Sequence, residues 1–119
     1  TNQETLIKFL SGTLQKKAID RYVGFASKKK THIKFLNSIY GELGDKFDRK
    51  KTTKVFPQNV WEQRAYVFRP EENFGQPEIN LKLVYEQMQD ACLVITEDGN
   101  YGFYRSETIL DSEILLTSV

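Results

Sequence analysis

The stretch from Ala91 to Ser106 constrains the fold of this chain more than any other, because ACLVI, TEDGN and YGFYRS read as two strands folded back across a tight turn. Asp98-Gly99 suits the two central positions of a type I′ turn, whose positive φ values are free for Gly and tolerated by Asp. That placement sets a register: Glu97 opposite Asn100, Thr96 opposite Tyr101, Ile95 opposite Gly102, Val94 opposite Phe103 and Leu93 opposite Tyr104. Aromatic and aliphatic residues then meet on both faces of the ribbon. A three-residue turn with Gly99 in the left-handed region is the alternative, and it slips the pairing by one. The run Cys92 to Ile95 is apolar without interruption, which predicts a central strand with a helix on one side and further structure on the other.

At 119 residues the chain fits a single domain that buries a core without disulfides or metals. We expect a helical half at about 1–48 and a sheet half at about 52–119. No apolar run approaches the ~18 residues of a membrane span, so no membrane role is expected. Cys92 is the only cysteine, which rules out an internal disulfide. Together with the lack of a secretory signal before the fold, it predicts a reducing, cytoplasmic setting.

Asn2 is placed to cap a first helix, in which Leu6, Ile7, Leu10 and Leu14 share a face. Ser11-Gly12 is a point of interruption, after which Ile19, Tyr22, Val23 and Ala26 continue the apolar stripe. From Lys28 a third helix is expected, with Ile33, Leu36, Ile39, Tyr40 and Leu43 at helical spacing and Gly41 and Gly44 as stops. Phe47 to Lys54 has little apolar periodicity and reads as a surface connection. Arg64 to Arg69 is rich in β-branched and aromatic residues and stops at Pro70, as a strand does. Trp61 ahead of it is expected to plug the core. Pro77 suits the opening of a helix over Glu78 to Gln89, with Leu81, Val84, Tyr85 and Met88 on one face. Glu113 to Thr117 reads as a last strand. The class is therefore α+β: N-terminal helices packed on a small, mainly antiparallel sheet with a central hairpin.

Residues that could carry chemistry are few. His32 is the only histidine, at the edge of the third helix's apolar face, and a His/Cys metal cage would need carboxylates for most ligands. No metal or cofactor is expected. Cys92 lies in an apolar run rather than the electropositive niche that activates a thiolate. Glu97, Asp98, Glu107, Asp111 and Glu113 are carboxylates of which two, if brought together, would suit acid/base catalysis, but turn and rim solvation accounts for them. No glycine-rich phosphate loop is present.

Charge is more informative than motif. Residues 1–54 carry 13 basic and 5 acidic side chains (+8), and residues 55–119 carry 4 and 11 (−7), which sum to the net +1. Lys28, Lys29, Lys30 and Lys34 mark the start of the third helix, and Lys50 and Lys51 follow in the connection. These six are the candidate binding residues, as an exposed patch for an anionic partner; the other reading docks the +8 half on the −7 half. The functional expectation is a non-enzymatic module that binds a macromolecule or acts as an accessory subunit, with an acidic protein surface as partner and self-association left open. A helix-turn-helix-like nucleic-acid binder using the basic half is the alternative, and a small carboxylate enzyme a second one.

Overall fold

The computed structural model describes residues 2–18, 46–68, 76–78, 80–87, 92–105 and 113–119. The third helix expected from Lys28, and the stripe from Ile19 to Ala26, lie outside these residues.

The architecture is α+β. Six strands, β1 (Thr52–Thr53), β2 (Ala65–Phe68), β3 (Gln76–Glu78), β4 (Cys92–Thr96), β5 (Tyr101–Arg105) and β6 (Glu113–Thr117), form one sheet in the order β1-β6-β5-β4-β2-β3. Every adjacent pair is antiparallel. The apolar strand β4 is interior, between β5 and β2, as its composition predicts.

Period-two alternation divides the core into two clusters, one on each face of the sheet. On the first face Leu93, Ile95, Phe68, Tyr104 and Leu116 pack with Leu6, Phe9, Leu10 and Leu14. Most of these helical residues come from α1 (Asn2–Thr13). On the second, Val94, Phe103, Ala65 and Val67 meet Val60 of α2 (Gln58–Trp61) and Leu81 and Val84 of α3 (Leu81–Gln87). Burying each such side chain is worth roughly 1.5–3 kcal/mol. Trp61 is half-buried and stacks at the margin of this second cluster, between Phe56 and Tyr85 at centroid distances of 5.1 Å to each.

The hairpin register is the expected one: Leu93 opposite Tyr104, Val94 opposite Phe103 and Ile95 opposite Gly102. The turn differs. The Gly99 N–H donates to the Thr96 carbonyl at 2.8 Å, so Glu97 and Asp98 occupy its centre and Gly99, at φ 75°, follows it. A type I′ turn would have closed one residue later. Side chains decide the matter: Thr96 Oγ1 donates to Asp98 Oδ1 at 2.5 Å and accepts from the Tyr101 N–H at 3.2 Å, while Asp98 Oδ1 also accepts from the Asn100 N–H at 2.9 Å. These bonds stabilise a four-residue connection that preserves the register.

Three other expectations change. The first helix runs through Ser11-Gly12 and ends at Thr13, whose hydroxyl donates back to the Phe9 carbonyl at 2.8 Å. Pro77 lies within β3 rather than at a helix start. The helix opens only after Asn80, whose Oδ1 accepts from the Leu83 N–H at 2.8 Å. Finally, Phe47 to Lys54 is more than a surface connection. Phe47 is buried and bridges to Leu14, and Thr52–Thr53 forms an edge strand. A short segment without periodicity can still contribute one core side chain and two ladder residues, too few to show as a pattern. Among the described residues no helix is long and apolar enough to cross a membrane.

Candidate functional site

The basic edge of the sheet is built by a single capped turn. Asp48, in extended backbone geometry, accepts the Lys50 N–H on Oδ1 at 3.0 Å and so starts a 3-10 turn over Arg49–Lys51. Thr52 ends it, donating from Oγ1 to the Arg49 carbonyl at 2.7 Å. The chain then enters β1, with Thr52 opposite Leu116 and Thr53 opposite Leu115. Past Thr53 it leaves the sheet: the Thr53 hydroxyl donates to the Val55 carbonyl at 3.0 Å, and Phe56 then enters the second-face cluster. Arg49, Lys50 and Lys54 are exposed and Lys51 is half-buried. No ion pair within the described residues neutralises these four cations.

Beside this edge lies an open cleft of 470 Å³, within the range typical of ligand-binding clefts. Phe47, Ile114 and Leu115 supply its apolar part; Gln15, Arg49, Thr52, Thr53 and Glu113 supply its polar part. Backbone bonds hold the wall in place: the Gln15 N–H donates to the Lys46 carbonyl at 2.8 Å and the Asp48 N–H to the Thr13 carbonyl at 2.7 Å. Gln15 Nε2 also donates to the Phe47 carbonyl at 3.1 Å.

Of the six lysines singled out from sequence, Lys50 and Lys51 stand on this edge; Lys28, Lys29, Lys30 and Lys34 lie outside the described residues, as do His32, Glu107 and Asp111. Of Cys92 the description covers its backbone in β4. The candidate carboxylates among the described residues, Glu97, Asp98 and Glu113, do not all converge. Glu97 and Asp98 stand at the turn end of β5 and Glu113 opposite Arg105 at its other end, separated by a five-residue strand of about 16 Å. Asp98 is already engaged in the turn. No group of three His, Cys, Asp or Glu side chains able to hold a metal occurs among the described residues.

Sequence reasoning missed Arg105. Its Nε donates to Glu113 Oε1 at 3.0 Å, and Nη2 lies 2.8 Å from the same oxygen and donates to the Tyr85 carbonyl at 2.6 Å. The guanidinium sits 5.1 Å from the Tyr85 ring centroid and 5.2 Å from that of Phe103, within cation–π range of both rings, which meet each other edge to face at 5.2 Å. Its side chain is 12% exposed, and Nη1 is buried without a hydrogen-bond partner. The neighbouring Glu113 carboxylate, as acceptor and as negative charge, and burial push the Tyr85 phenol above its usual 10.0, with Arg105 pulling the other way. The cluster ties α3 to β5 and β6, and its phenol keeps its proton at neutral pH. The Arg105–Glu113 pairing becomes visible only once β5 and β6 are in register, information that neither strand carries alone. Set against protein-family models, curated proteins and solved structures, the chain matches none.

Proposed function

We propose that this domain is a non-enzymatic binding module whose partner is a protein presenting an acidic surface, engaged at the β1 edge. The observation that carries this reading is the placement of Arg49, Lys50, Lys51 and Lys54 along one edge of the sheet, unneutralised within the described residues, beside a cleft with an apolar part. Cations steer an anionic partner and favour it over cationic ones, while the half-buried Ile114 and Leu115 offer apolar area that a polar contact alone lacks. A phosphate backbone would use the charge but not that apolar surface, which favours protein over nucleic acid. The lone cysteine is in keeping with a cytoplasmic setting.

The test is a titration of the wild type and an Arg49→Glu/Lys50→Glu/Lys54→Glu variant with a Glu-rich peptide containing aliphatic residues, and with duplex and single-stranded oligonucleotides, at two salt concentrations. The expected result is salt-dependent peptide binding that the variant loses. Oligonucleotide binding with a steeper salt dependence and no peptide binding would replace this reading with the nucleic-acid one.

A further inference from the structure

We infer that the acidic partner docks as an extended segment, adding a strand along β6 in line with β1, with an acidic side chain toward Arg49 and an apolar one toward Ile114. This rests on the binding role proposed above and specifies its geometry. β6 has five residues, and β1 pairs with Leu115 and Leu116 alone. Continuing that register would put Lys54 opposite Ile114 and Val55 opposite Glu113. Instead the pairing ends at Thr53, whose hydroxyl donates to the Val55 carbonyl, and Val55 is 71% exposed. Among the described residues, therefore, no strand covers Glu113 and Ile114 on the side away from β5. In an antiparallel ladder successive residues direct their N–H and C=O to opposite sides, so one of these two presents both groups outward. That is the template an added strand uses. Both residues line the 470 Å³ cleft, so the backbone groups lie where a ligand would sit.

The other edge of the sheet lacks this property. Pro77 is the middle residue of β3, and without an N–H it interrupts any ladder there. Lysines flanking a short edge strand are also a device against self-association. Here that device discriminates: it repels a second copy of this edge, which carries the same cations, and accepts an acidic strand.

The experiment uses the intact chain and three synthetic probes: a peptide alternating Glu and Val, the same peptide N-methylated at every second residue on the pairing side, and oligoglutamate. Binding is read by titration, and backbone amides by NMR hydrogen exchange. The expected result is that the Glu-Val peptide binds, slows amide exchange in the segment 113–114, and loses about tenfold or more in affinity on N-methylation, the equivalent of one or two ladder hydrogen bonds. Equal binding of the methylated and unmethylated peptides, or binding of oligoglutamate alone, would overturn strand addition and leave the acidic-partner reading standing. Failure of all three probes to bind would remove both.

Discussion

Arg105 shows how one side chain can hold three elements together while incurring a local cost. The ion pair with Glu113 and the bond to the Tyr85 carbonyl offset its desolvation, but the orphaned Nη1 leaves part of that cost uncompensated. The consequence that can be measured belongs to Tyr85. Because its folded pKa is raised above 10.0, the phenol retains its proton in the fold at pH values where the unfolded chain has lost it. Stability from this source is fully present below about pH 10 and is lost as pH rises from there through the folded value. Stability measured by urea unfolding between about pH 9 and 11 should fall less steeply in Tyr85→Phe than in the wild type. Glu113→Gln, which removes the largest cause of the shift, should also flatten the slope. Identical slopes in all three proteins would show that Tyr85 is not held up by this carboxylate.

The contact between α1 and β5 is set by a residue with no side chain. A Cβ on Gly102 would lie 2.5 Å from the Val94 carbonyl oxygen and 2.9 Å from Phe9 Cζ, so glycine is what lets the helix bring its fully buried Phe9 ring down on the sheet. Gly102→Ala should destabilise by about 1–3 kcal/mol, the strain of overpacking exceeding the ~0.4–1 kcal/mol that alanine returns by restricting the unfolded chain. Chemical denaturation is the check, and a neutral or stabilising result would mean that α1 shifts freely. At this scale the strands were legible where apolar, β-branched or aromatic residues ran for four or five positions, as in β2, β4, β5 and β6. β1 and β3 were not. Two or three residues carry no period, and Pro77 reads equally well as a helix opener and as an edge-strand residue.

For the molecule as a whole, the question posed by the +8 and −7 halves is whether charge is used inward or outward. Arg49, Lys50 and Lys54 are exposed and unneutralised within the described residues, so the reversal of all three to Glu should change stability by no more than about 1 kcal/mol and leave the melting temperature nearly unchanged. A large loss would instead indicate docking of the basic segment on an acidic surface of the same chain. Composition and periodicity alone determined the α+β class, the interior place of β4 and the apolar face of α1, because each depends on the local run of apolar side chains along one element, whereas the choice between the two hairpin registers fell to the folded structure. Tertiary structure decided what depends on elements meeting. It moved the turn onto Glu97-Asp98 through the Thr96 and Asp98 side chains, and it delivered Phe47 from a polar segment into the core. It also paired Arg105 with Glu113 across two strands and opened a cleft where β1 stops short of β6. Pairing across strands is a property of register, and register is a relation between segments that no single segment encodes.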